Sequence, residues 1–235
     1  MTAAAPLPPR PRSWSARLAW LFVAVLCMGV AAYSARYLLH PPQTPADALD
    51  NPMGVPWLLV HGAGAVVALL LGSLQFLPVL RRGSRPPHRW VGRVYVAGCL
   101  VGGLAGLVLA PGSQAGPIAS AGFGGLGVLW IVTTSLGWRA AVRGRFDEHR
   151  RWMIRSWALT LAAVTLRLYL PLVMMWDLPF APSYRVISFL CWVPNLIAAE
   201  LWLRRSSPSG PAALRSTRRS PGTGRWVDGG WCWRG

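Results

Sequence analysis

The sequence predicts an all-α integral membrane protein: a bundle of about six transmembrane helices, with a four-helix core and two flanking helices. Three observations lead there. Only 13% of the 235 residues are charged while 53% are hydrophobic, against about 25% charged in an ordinary soluble domain. The apolar residues gather in six blocks, each close to the ~20 residues of helix that cover ~30 Å of hydrocarbon. The basic residues, all arginine and giving a net charge of +17, lie almost entirely between and beyond those blocks. A backbone in lipid must satisfy its own hydrogen bonds, so the blocks are expected to be helices.

Residues 1–17 form a basic amino terminus with Arg10, Arg12 and Arg17, and 18–203 form the membrane domain, its core at 56–176. The first block, 18–39, follows basic residues and ends near Ala32-Tyr33-Ser34-Ala35. That pattern also suits a cleaved signal peptide, although the block is long enough to remain as an anchor. The second block, 56–80, follows a loop holding Asp47 and Asp50. Pro86 and Pro87 set up the third helix, 90–110, because proline suits a first helical turn. The fourth is 118–138. Asp147 is placed to cap the fifth, 152–176. The sixth is 185–203, and the remainder, 204–235, is Arg, Ser, Pro and Gly with no face to bury, hence a disordered tail. Gly98, Gly102 and Gly106, with Gly122, Gly124, Gly125 and Gly127, are the small residues that let membrane helices approach closely.

Arginine counting orients the chain. Arg81, Arg82, Arg85, Arg89 and Arg93 share one loop region; Arg139, Arg143, Arg145, Arg150, Arg151 and Arg155 share another. The alternate loops hold Asp47, Asp50 and Asp177, with Arg36 and Arg185 at their margins. By the positive-inside rule the arginine-rich loops and both termini are expected to be cytoplasmic, in a plasma membrane. The expected partners are the lipid bilayer and, at the inner face, anionic headgroups. Arginine confined to loops argues against nucleic acid. Cys27, Cys99 and Cys191 lie inside apolar blocks, Cys232 in the tail, and no C-x-x-C occurs, which disfavours disulfides and zinc-thiolate sites.

Two turns share a pattern: His88-Arg89-Trp90-Val91-Gly92-Arg93 and His149-Arg150-Arg151-Trp152. Each opens a long apolar block on the same side of the membrane, and Gln75 reaches that level by helical rise. Two facing imidazoles can ligate the iron of a b-type haem, Gly92 can admit a flat macrocycle, and arginines can hold its propionates. The competing reading is interfacial anchoring of helix ends by His, Arg and Trp. A metal site of the zinc type is not expected, for want of further ligands. Deeper lie His61 and Arg167, at similar depth, with Tyr169 beside them in sequence; intramembrane arginine usually faces a bundle interior or a cavity. No nucleophile with its base, acidic pair or phosphate-binding glycine loop is evident. Three readings therefore stand: a haem-binding redox protein, a non-enzymatic scaffold or sensor, and a small transporter or lipid-handling protein using the His61/Arg167 pocket.

His61-Gly62, Leu74-Gln75-Phe76, His88-Arg89 with Gly92-Arg93 and Tyr95, and His149-Arg150 with Trp152-Met153 and Arg155-Ser156 together resemble an uncharacterised bacterial family of predicted multi-pass membrane proteins. The resemblance implies a membrane fold and no particular activity. A looser one, carried by His61, Gln75, Arg85, His88 and Gly92, is to the transmembrane cytochromes b that move electrons from ascorbate-type donors. There, ligands pair between core helices two and four and between one and three. His88 and His149 fit the first pair. Core helix three, 118–138, has no histidine, so the second pair is broken.

Overall fold

The computed structural model describes residues 14–39, 51, 54–75 and 86–206. All regular structure among them is helical: α1 (Trp14–Leu39), α2 (Val55–Leu74), α3 (Pro86–Leu109), a 3-10 turn (Ala110–Gly112), α4 (Pro117–Val142), α5 (Phe146–Thr160), α6 (Ala162–Met175), α7 (Phe180–Leu190) and α8 (Val193–Ser206). These make six spans long and apolar enough to cross a membrane, α5 with α6 and α7 with α8 each forming one. Contacts divide the chain into Met1–Glu200 and Leu201–Gly235; of the second, only Leu201–Ser206, the end of α8, is described.

The first unit is held by close glycine contacts that fix helix direction. A Cβ on Gly64 of α2 would lie 2.6 Å from the Gly98 oxygen and the Gly102 nitrogen of α3. Gly72 meets Tyr95, and Gly92 meets Gln75, so α2 and α3 run antiparallel. Gly127 against Leu107, and Gly103 against Ile131, align α3 antiparallel to α4. Gly137 against Met153 does the same for α4 and α5. Ala115 and Gly122 of the α4 strand of chain meet Arg185 and Ser188 respectively, so α7 runs parallel to α4. Small residues are favoured at such crossings because lipid supplies no hydrophobic drive, leaving close van der Waals contact to hold helices.

The core sits among four spans: Ala68 of α2, Tyr95, Val96 and Cys99 of α3, Trp130 of α4 and Leu159 of α5. The flanking helices add their own seams. Cys27 and Ala31 of α1 pack on Leu69 and Val164, while Ile187 and Cys191 pack on Ala162 and Val173. Elsewhere the perimeter shows large apolar side chains, among them Phe22, Val25, Val101, Leu104 and Val132. A soluble monomer does not carry such a surface.

Several sequence expectations shift. The fifth helix starts at Phe146 rather than 152, with Arg145 at its N-cap and no side-chain cap. Asp147 therefore lies inside the first turn, where it opposes the positive helix end instead of capping it. The span is interrupted at Leu161, one turn before Thr165. The sixth starts at Phe180 and is interrupted at Cys191–Trp192. Pro194 explains that break, since it lacks an N–H and crowds the carbonyl of Leu190. Thr165 Oγ1 donates across to Cys191 O, and Asn195 Nδ2 donates to Thr165 Oγ1 at 3.3 Å and to Cys191 O at 3.0 Å. The two breaks are thus tied together. α8 continues to Ser206, so Arg204 and Arg205 are helical. Residues 76–80 of the second expected helix, Ala32–Ala35 as a cleavage site apart, and the tail beyond 206 lie outside what is described or tested; Ala32–Ala35 itself is helical within α1.

Candidate functional site

α3 and α5 both start at the arginine-rich end and run the same way. They meet where Tyr95 OH lies 3.0 Å from Ser156 Oγ and 3.1 Å from Thr160 Oγ1. Two turns back from that contact, about 10.5 Å of rise, stand His88 on α3 and His149 on α5. Seven residues bring a helix round to nearly the same face, within ~20°. Both imidazoles are therefore at one level, on the faces that converge at Tyr95 and Ser156, and both are half-buried.

His149 Nδ1 is 2.9 Å from the Gly137 carbonyl of α4. A carbonyl only accepts, so Nδ1 carries the proton and Nε2 of the neutral ring keeps its lone pair. Gln75, the C-cap of α2, brings its Nε2 within 3.4 Å of where a Cβ on Gly92 would lie. That amide nitrogen is buried with no hydrogen-bond acceptor among the described residues. Gln75 thus sits one turn deeper than His88, beside the glycine the sequence singled out. Arg89, Arg93, Arg150 and Arg151 surround this end, with Arg93 over the Trp90 ring at 5.1 Å.

Beneath lies a buried hydroxyl network that the sequence reading missed. Thr134 Oγ1 is 2.7 Å from Ser156 Oγ, and Trp130 Nε1 donates to Thr160 Oγ1 at 2.9 Å. Tyr95 joins both halves, so α3, α4 and α5 are linked at mid-span. The signal was available: Trp130/Thr134 and Ser156/Thr160 are polar pairs four residues apart in apolar blocks, hence on single helix faces. Replacing Tyr95 by Phe leaves each remaining hydroxyl at least one partner. We expect a loss of about 1 kcal/mol, read as a lower detergent-unfolding midpoint, with no change in helix content.

At the opposite end, His61 Nδ1 donates to Gly102 O at 2.8 Å, its ring against the space that a Cβ on Gly106 would fill. Arg167 lies on α6 about 12 Å before Met175 and donates from Nη1 to Ala163 O at 3.3 Å, while His61 lies on α2. Tyr169 instead packs on the cluster of Ala162, Val173, Ile187 and Cys191. Among the described residues no three His, Cys, Asp or Glu side chains gather as a metal centre.

A family model described as predicted membrane protein, DUF2306, matches residues 58–203, which is more than half of the chain. The chain belongs to this family. The matched stretch includes every residue of both candidate ends except those of α1, and includes the hydroxyl network. No curated protein and no solved structure matches the chain. The DUF2306 match concerns a membrane protein of unstated activity, and none of these comparisons carries the likeness to transmembrane cytochromes b. Within the family stretch, the residues that carried the resemblance fall into contact pairs: Gln75 with Gly92, Tyr95 with Ser156, and Arg155 over the Trp152 ring at 4.7 Å.

Proposed function

We propose that this protein lies in a bacterial plasma membrane with its arginine-rich end and both termini in the cytoplasm, and that it binds one b-type haem between His88 and His149. The observation that carries the reading is the Nδ1–carbonyl bond of His149, which directs an Nε2 lone pair away from α4. Histidines that ligate metals usually commit their other nitrogen in this way. The matched level of His88 supports the same reading, as does the buried amide nitrogen of Gln75 beside Gly92. Bis-histidine ligation needs two imidazoles, so a cluster of three ligands is not required.

The haem would supply one-electron chemistry. In that role Gly137 holds the His149 ring and its tautomer, Gln75 offers an N–H donor, and Tyr95 with Ser156 fixes the separation of α3 and α5. Arg89, Arg93, Arg150 and Arg151 would neutralise propionates at the headgroup level. The reading is of one haem, since 118–138 carries no histidine to complete a second pair of the cytochrome b kind.

Protein made in haem-sufficient cells and purified in detergent should show a Soret band that sharpens on reduction. His88→Ala and His149→Ala should each lower haem content roughly tenfold or more, while His61→Ala should leave it unchanged. A folded, monodisperse wild type with no Soret band would end the haem reading. His149–Gly137 would then be a clasp between the ends of α4 and α5, as a scaffold or sensor needs.

A further inference from the structure

We propose that the surface groove between the start of α4 and α7 docks an anionic phospholipid, with its phosphate on Arg185 and one acyl chain along Ile118, Pro182, Val186 and Phe189. The proposal is independent of haem at the other end of the bundle.

The groove has a volume of about 480 Å³ and is lined by these five side chains, a size that takes a ligand or a part of one. Pro182, Val186 and Phe189 stand four and three residues apart, so they share one face of α7. Ile118, Val186 and Phe189 are all exposed. The two walls are fixed against each other below the surface. A side chain on Gly122 of α4 would collide with Ser188 of α7, and the Phe123 and Tyr184 rings lie 5.2 Å apart. The groove therefore exists before any occupant arrives, which removes the cost of shaping it.

Charge stands at one end of this groove. Arg185 Nε donates to Ala115 O at 2.7 Å, two residues before the fourth span begins at Pro117. That bond pins the guanidinium at the edge of the span, where headgroups replace hydrocarbon. Nη2 lies 4.0 Å from where a Cβ on Gly116 would stand. A guanidinium carries five N–H bonds, so four lie outside the bond to Ala115. A phosphate matches such a fork. α4 starts at Pro117 without a side-chain cap, and its positive end adds to the same charge. From Arg185, α7 runs inward, and Phe189 lies about 6 Å deeper by helical rise. Cation at the span edge and apolar side chains below it reproduce the order of phosphate and chain in a phospholipid. A zwitterionic headgroup would bring its ammonium to a site of positive sign, so an anionic headgroup is favoured.

The test follows the melting temperature of the full chain in a neutral detergent. The additions are phosphatidylglycerol, phosphatidylcholine with the same chains, and glycerol phosphate, which has none. Wild type should respond to phosphatidylglycerol at a concentration about tenfold lower than to phosphatidylcholine, and should not respond to glycerol phosphate. Arg185→Gln should remove that preference. Val186→Trp, which fills the groove from an exposed position and leaves Arg185 in place, should also require about tenfold more phosphatidylglycerol. This second variant decides the matter if Arg185→Gln fails to fold. Equal responses to the two lipids would mark ordinary surrounding lipid. A response to glycerol phosphate equal to that of the lipid would mark a soluble-anion site. A phosphatidylglycerol response unchanged in either variant would assign the effect to the arginine-rich end. Each of these three results overturns the proposal.

Discussion

Gly64→Ala should separate α2 from α3 and cost roughly 3 kcal/mol of stability, the upper part of the range for forced overpacking. The added methyl carbon would lie 2.6 Å from the Gly102 nitrogen and the Gly98 oxygen, and 2.7 Å from the Gly102 Cα. All three are backbone atoms of a continuous helix, so no side chain can rotate away. Reaching ordinary contact means moving one helix by close to 1 Å. That shift would stretch the His61–Gly102 bond and draw Gln75 away from Gly92, so damage at one crossing reaches both ends of the bundle.

Two controls separate this effect from the general consequence of adding a methyl group. At Gly29 nothing lies within 4 Å of the added carbon, and at Gly124 the nearest atom is the Ala110 Cβ at 3.9 Å. Alanine at either should be neutral, or stabilising by up to about 1 kcal/mol through helix propensity. Detergent-unfolding midpoints for the three variants decide the matter. A Gly64→Ala protein as stable as the Gly29→Ala protein would mean that α2 and α3 are not in backbone contact.

The glycine spacing at 98, 102 and 106 made a close crossing legible, but not its partner. Nothing in the α3 sequence distinguishes a seam for α2 from one for α4, and Gly103 serves the latter. Span positions were legible because transfer to hydrocarbon depends on composition, which a block of sequence carries by itself. Helix ends were less so. An apolar block marks where lipid begins, whereas a helix continues into water for as long as its residues favour it, and Phe146–Arg151 do so ahead of the block. Of the two breaks, Pro194 announced one. The other, at Leu161, has no such residue to announce it: the backbone bonds Leu161 N to Trp157 O and Thr165 N to Leu161 O persist on either side of it.

The candidate sites divide in the same manner. Rise per residue is fixed, so the sequence puts Gln75 at the level of His88 and His149; Gln75 instead meets Gly92, one turn deeper. The place of Tyr33 and Tyr37 on a helix beside α6 could not be read from sequence. They belong to α1, whose placement against α2 and α6 depends on Cys27 and Ala31 fitting Leu69 and Val164. Packing of that kind is settled by shape over the whole seam and leaves no local motif.

Glu200→Ala is expected to be the most damaging single change on α8, because it strands Arg155. The pair joins α5 to α8 in a two-point fork, Arg155 Nε to Glu200 Oε1 and Nη2 to Oε2, the second at 3.0 Å. The Arg155 side chain is 16% exposed and that of Glu200 34%. Breaking a fully buried pair costs about 3–5 kcal/mol, since the remaining charge has no partner. Discounting for the exposure of Glu200, we expect roughly 2–4 kcal/mol. Arg155→Ala should cost less than its partner's loss, because a carboxylate one and a half turns from the end of α8 can reach water more readily than a guanidinium held over Trp152. Glu200→Gln keeps an acceptor and the volume but removes the charge, so it should fall between wild type and Glu200→Ala. A double-mutant cycle of Arg155→Ala with Glu200→Ala, read by unfolding in mixed detergent micelles, measures the coupling. The double variant should be more stable than Glu200→Ala alone, since it no longer buries a lone cation. Strictly additive losses would mean that the two side chains stabilise their helices separately, and that the fork does not hold α8 to the core.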